Sequence, residues 1–275
     1  MSIISEIFSY AFLSRAFLVG ILVSLSASLI GISLVLRRFS MIGDGLSHVG
    51  FGALGIASLF ALSPMLVTLP VVALSALFLL NLSKKSKGGD GYIALISSGS
   101  LAIGVIAISL GGVNTDLNAF LFGSILAVSK SDAYISIALS LLTLLSYVFF
   151  YRQIYVTTFD PAFSKATGIK SDRYTLLLSV LTAMIVVVGM RILGSLLISS
   201  LIIFPAMTAM RVSKTYKNVT IISGIESVFA FIVGFFASYA YSLPTGASIV
   251  AVHIVIYILA FLYSELRSLA RKKLL

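Results

Sequence analysis

Apolar runs of roughly twenty residues recur along the chain between short polar connections, which is the spacing that a hydrocarbon core of about 30 Å imposes on membrane-crossing helices. The runs fall at residues 11–36, 41–61, 65–82, 91–111, 133–150, 174–190, 192–210, 219–242 and 246–265. They predict an all-α polytopic transmembrane helical bundle of nine spans. Eight remain if the short sixth run fails to cross and residues 120–132 form a re-entrant half-helix. No soluble insert interrupts the pattern, so residues 1–275 read as one transmembrane domain. The opening MSIISEIFSYAFLSRAF lacks a basic leader ahead of a small-residue cleavage site, and we expect it to be retained. No internal repeat argues for an inverted-repeat carrier.

Composition agrees with the bilayer: 59% of residues are hydrophobic and only 10% are charged. The net charge of +10 invites a nucleic-acid reading, but the placement of the basic residues removes it. Arg37 and Arg38, then Lys84, Lys85 and Lys87, then Arg152 to Arg173, then Arg211, Lys214 and Lys217, and finally Arg267 to Lys273 all fall on one side of the alternating runs. The opposite connections at 62–64, 111–120 and 242–246 are nearly free of positive charge. The positive-inside rule makes the basic side cytoplasmic, so nine spans put the amino terminus outside and the carboxyl terminus inside a bacterial-type inner or plasma membrane. Zero cysteines exclude disulfides, thiolate metal sites and a redox dithiol.

The candidate chemistry lies in the few ionisable residues inside the runs. Asp44 and His48 stand one turn apart in LRRFSMIGDGLSHVGFGALGIA, and at i, i+4 both project from one helix face. Carboxylate oxygen and imidazole nitrogen suit a divalent cation. The alternative is structural: Asp44 caps the second helix or attracts Arg37 and Arg38, and His48 hydrogen-bonds across helices. Gly43, Gly45, Gly50, Gly52 and Gly55 would let neighbouring helices approach around a narrow path. Glu226 and His253 are the other intramembrane candidates for metal contact. Counted from the assumed membrane faces at 1.5 Å per residue, Glu226 matches the depth of His48, about 10 Å from the cytoplasmic side, whereas His253 lies about 10 Å from the outer side. Each also has a bland reading, as a protonated glutamate against backbone and a neutral histidine bonded across helices. Asp116 reads as an outer-loop acid, Arg191 as the outer turn between two spans, and Pro205 as a kink in the seventh.

The longest cytoplasmic connection, YRQIYVTTFDPAFSKATGIKSDR, contains a short helix near 160–168 written in capping residues. Asp160 suits the N-cap, Pro161 the first helical position and Gly168 the left-handed stop. Phe159 and Phe163 are spaced to share one side of it. They fit a groove in a partner protein or, equally, the lipid headgroups.

The chain resembles the membrane permease subunit of ABC-type zinc or manganese importers. The resemblance rests on five blocks in order: LVLRRFSMIGDGLSHVGFGALG, NTDLNAFLFGSILAVSKSD, TTFDPAFSKATGI, ILGSLLISSLIIFPAMTAMR and LPTGASIV. It implies a homodimer of permease copies, two cytoplasmic ATP-binding subunits, and an extracytoplasmic metal-binding protein or lipoprotein that delivers the ion. It also implies that metal passes beside Asp44 and His48, and that the segment with Phe159, Asp160, Pro161, Phe163, Lys165 and Gly168 is the coupling helix that meets the ATPase. No GxxxxGK[ST] loop occurs, so we expect a non-catalytic subunit whose energy comes from elsewhere, with no cofactor. NTDLNAFLFGSILAVS looks more like the zinc branch, which makes Zn(2+) the expected cargo. A manganese or iron importer of the same type, or a proton-coupled secondary metal transporter using Asp44, His48 and Glu226, are the alternatives.

Overall fold

The computed structural model describes residues 9–85, 89–111, 122–123, 129–195 and 197–272. Within them the chain forms α1 (Ala11–Leu36), α2 (Ile42–Leu59), α3 (Pro64–Lys85), α4 (Gly89–Gly111), α5 (Lys130–Phe149), α6 (Tyr151–Phe159), α7 (Pro161–Ala166), α8 (Ser171–Leu193), α9 (Ile198–Val212), α10 (Tyr216–Tyr241) and α11 (Thr245–Lys272). No strand occurs among the described residues. Asp116 and most of the proposed half-helix at 120–132 lie outside the described residues.

Burial sorts the helices into centre and rim. On α1, Val19, Val23, Ala27, Ile30 and Leu34 are fully enclosed at helical spacing, and Ser24, Ser26, Ser28 and Ile32 on its other faces are enclosed as well. A helix buried on most of its circumference lies at the centre of a bundle. Leu95, Ile103 and Leu110 on α4, and Leu259, Leu262 and Leu266 on α11, are exposed, as lipid-facing side chains are. Lipid supplies no hydrophobic drive between helices, so close packing and polar cross-links must hold them. Both are present. The Ser227 hydroxyl on α10 donates to the Ser24 carbonyl on α1 at 2.9 Å, and that of Ser26 reaches the Ser140 carbonyl on α5 at 3.3 Å. On α2, Gly52 and Gly55 stand where any β-carbon would strike the backbone of Ser100 and Gly104 on α4.

Each of the nine apolar runs falls on a helix, with two departures. Arg191 is not in a turn: it sits in the last turn of α8, and the chain reverses after Gly194, whose φ of 90° is open to glycine. The connection after residue 150 is also more helical than expected, because α6 continues almost directly from α5. Six helices are long and apolar enough to cross a membrane by length and composition: Ala11–Leu36, Gly91–Gly111, Lys130–Phe149, Ser171–Arg191, Tyr216–Tyr241 and Thr245–Ala270. Ile198–Val212 is apolar but shorter, and α3 runs 22 residues from Pro64 to Lys85.

Candidate metal path and coupling surface

Asp44 is the third residue of α2, not its cap. Met41 holds the N-cap position in αR conformation without a side-chain cap bond, so the capping reading of Asp44 does not hold. Its carboxylate oxygen lies 3.8 Å from His48 Nε2, with the aspartate side chain 35% and the histidine 12% exposed. At that separation the two do not hydrogen-bond well. Two donors on one ion, each about 2.1 Å from it, stand roughly 3–3.5 Å apart. A small rotamer adjustment would bring Asp44 and His48 to the spacing of two ligands on one ion. The Nδ1 atom of His48 is buried without a hydrogen-bond partner, so the histidine is not an interhelical donor through that nitrogen.

Arg37 does not serve Asp44 either. Its guanidinium reaches Thr157 Oγ1 at 3.0 Å, Thr175 Oγ1 at 3.1 Å and Thr158 Oγ1 at 3.4 Å. The hydroxyls of Thr157 and Thr175 donate to the carbonyls of Gln153 and Ser171, which leaves their lone pairs facing the arginine. Burial pulls the Arg37 pKa below its ordinary value, a cost that these hydrogen bonds offset. Arg37 ends α1, while the left-handed Arg38 (φ 62°) begins the turn into α2. One guanidinium thus joins the end of α1 to α6 and α8. Nothing in the sequence pattern pairs an arginine at 37 with threonines at 157, 158 and 175.

Glu226 and His253 meet each other: Glu226 Oε1 lies 2.9 Å from His253 Nδ1, with both side chains buried. They do not lie at opposite depths, because the α10–α11 hairpin sets its own register. Gly234 packs against the backbone of Ile249, so Glu226 stands eight residues and His253 four residues below that contact. The offset of four residues is about 6 Å of rise, which the two side chains bridge. Among the described residues, no group of three or more His, Cys, Asp or Glu converges on one point. The two pairs are therefore separate. Arg191 pairs with Asp132 at the start of α5 at 2.9 Å.

The segment expected to couple follows its capping residues. Asp160 Oδ1 accepts from the Phe163 amide at 2.8 Å, Pro161 opens α7, and Gly168 takes φ 78° while the Ile169 amide closes back on the Ser164 carbonyl. Phe159 and Phe163 are each 55% exposed. They do not share one helix, because Asp160 separates them: Phe159 ends α6 and packs beside Tyr155 and Tyr216, whereas Phe163 stands on α7. The side chain of Lys165 lies outside the described residues.

The model of the ABC 3 transport family matches residues 9–264. The "Manganese import system permease protein ScaB" of Streptococcus gordonii is 29% identical, over 98% of this chain and 98% of its own length. The "Manganese transport system membrane protein MntC" of Halalkalibacterium halodurans is 30% identical over 94% of this chain and 89% of its own. Among solved structures, "PsaBC from Streptococcus pneumoniae in complex with Fab" superposes with a TM-score of 0.84 at 29% identity and covers 94% of each chain.

Proposed function

This chain belongs to the ABC 3 transport family, and from that premise we propose that it conducts manganese. The chain is the non-catalytic, multi-pass plasma-membrane permease of an ABC-type metal importer. The expectation of zinc is not supported, since the relatives named above are manganese permeases. One carboxylate and one imidazole, with no thiolate anywhere in the chain, suit a hard to borderline ion such as Mn(2+) as well as they suit zinc. The block at 114–129 that suggested zinc carries no ligand chemistry that separates the two metals.

The observation that carries the reading is the Asp44–His48 pair, 3.8 Å apart with an unpartnered imidazole nitrogen. Two ligands leave most of a cation's coordination open. Such an ion is held long enough to be oriented and weakly enough to be released, whereas a closed cage would trap it. Glu226 and His253 form a second buried polar pair, which we assign to hairpin packing rather than to the path. We further propose that nine helices cross the membrane, that two permease copies associate, and that α7, with Phe163 at its first turn, docks into an ATP-binding subunit while an extracytoplasmic metal-binding protein delivers the ion. Alternating access would follow from ATP binding on the cytoplasmic side.

Uptake of radioactive manganese at matched expression, with zinc as competitor, tests the assignment. His48→Ala and Asp44→Asn should each lose most uptake while still assembling with the ATPase. Asp44→Asn should be as damaging as Asp44→Ala, since charge rather than shape is what the ion needs. Full manganese uptake by Asp44→Asn removes the carboxylate from the path, and stronger uptake of zinc than of manganese by the unaltered protein reverses the choice of metal.

A further inference from the structure

Two cavities meet where α9, α10 and α11 reach the basic face. The first, about 600 Å³, is lined by Arg211, Lys214 and Arg267 together with the hydroxyls of Ser213, Ser264 and Ser268, and no acid lines it. The amino terminus of α10 opens beside it: Thr215 and Asn218 also line the cavity, and Thr215 makes no side-chain cap bond, so the helix's positive end faces the same space. The second cavity, about 470 Å³, is a largely apolar groove between α10 and α11 that shares Val212 and Tyr263 with the first and has Thr208 and the buried Glu226 in its floor. Along it Ile225, Phe229 and Leu259 are 66%, 56% and 61% exposed.

A cationic mouth that continues into an apolar trough matches a molecule with an anionic head and a hydrocarbon tail. We propose that this composite site binds an anionic glycerophospholipid of the cytoplasmic leaflet, its phosphate among Arg211, Lys214 and Arg267 and one acyl chain along α10 and α11. The dimensions agree: from Thr215 to Phe229 α10 rises about 20 Å, comparable with the ~15 Å of hydrocarbon in one leaflet. Basic pockets between helices on this side of a membrane select such headgroups. A second copy is a poorer occupant of the mouth, because this chain carries a net +10 and a two-fold contact would set the same three cations against each other. A soluble partner cannot follow the trough below the membrane surface. The inference goes beyond metal transport and holds whichever ion is carried.

The test uses the permease purified with its ATPase in detergent and a photoactivatable phosphatidylglycerol, with phosphatidylcholine of the same chains for comparison. Labelling of peptides spanning 211–229 and 256–268 should favour phosphatidylglycerol. The triple variant R211Q/K214Q/R267Q should lose that preference by on the order of 100-fold, while R211K/R267K should keep most of it. Excess glycerol 3-phosphate should not displace the lipid, and displacement would make the mouth a soluble-phosphate site. Equal labelling by both lipids, or anionic label elsewhere in the wild-type protein, overturns the proposal even if the triple variant fails to assemble. The absence of native cysteine gives one further arm: efficient disulfide formation between copies carrying Phe229→Cys would show that the trough is a copy-to-copy interface and sink the lipid assignment.

Discussion

Arg37 shows what a single side chain can coordinate when its donors diverge. Its planar fork serves three threonines on two helices, and a lysine ammonium, being a point charge on a flexible stem, cannot reproduce that geometry. Hydrogen bonds to a charged group are worth roughly 1.5–3 kcal/mol each before solvent screening, and the half-buried site loses part of that. We expect Arg37→Ala to loosen the junction of α6 and α8, seen as faster limited proteolysis between residues 150 and 171. It should also lower the uptake obtained per ATP hydrolysed, with Arg37→Lys intermediate in both. Unchanged proteolysis and unchanged coupling in Arg37→Ala would mean that the arginine only fills space. Asp44 makes the opposite case. Since it neither caps α2 nor pairs with Arg37, Asp44→Asn should leave the thermal midpoint of the purified permease nearly unchanged while removing transport, and a large drop in that midpoint would return Asp44 to a structural role.

At the scale of elements, α7 was legible because its instructions are local. Asp160, Pro161 and Gly168 each act on the backbone within a few residues, so reading them in order gives the start and stop that the structure contains. Asp160→Ala should cost the helix about 1 kcal/mol through loss of the cap. Phe163→Asp, which leaves the cap intact and puts a charge on an exposed apolar position, should weaken ATPase copurification and metal-stimulated ATP turnover without unfolding the permease. Retention of both would send Phe163 back to the lipid headgroups. What was not legible depends on distant partners. Glu226 and His253 are joined by a hairpin register that Gly234 and Ile249 set, and Asp132 meets Arg191 across fifty-nine residues of chain. Apolar periodicity says which face is buried and not against what. The chain's reversal at Gly194 rather than at Arg191 was hidden for another reason: a charge inside an apolar run looks like its end, but a carboxylate on the neighbouring helix lets it stay.

For the whole molecule, the open quantity is the number of crossings, and it turns on what hydropathy measures. Six helices satisfy a length and composition test for a lipid-bathed span and α3 is also 22 residues long, whereas α2 and α9 are not among them. That test presumes contact with lipid. Yet α2 buries most of its residues, from Ile42 and Leu46 to Phe51 and Leu54, and α9 buries Leu201, Ile202, Pro205 and Ala206. A helix enclosed by protein is free to carry glycine, aspartate and histidine, because its surroundings need not be hydrocarbon, and a shortened helix is tolerated where neighbours cover its ends. On the proposed reading, the same enclosure would let a cation meet the polar atoms of Asp44 and His48 inside the bundle. If all nine helices cross, the amino terminus lies outside and the basic carboxyl terminus inside; if an even number cross, both lie on one side. Paired reporters on the two termini, one active only in the cytoplasm and one only outside it, separate the cases. We expect opposite sides, with the basic connections at 37–38, 84–87, 152–173 and 211–217 all cytoplasmic by accessibility of single introduced cysteines, an assay that the cysteine-free sequence leaves without background. Same-side termini would reject nine crossings and break the alternation that puts Asp44 near the cytoplasmic end of its helix, so the metal path itself would have to be redrawn.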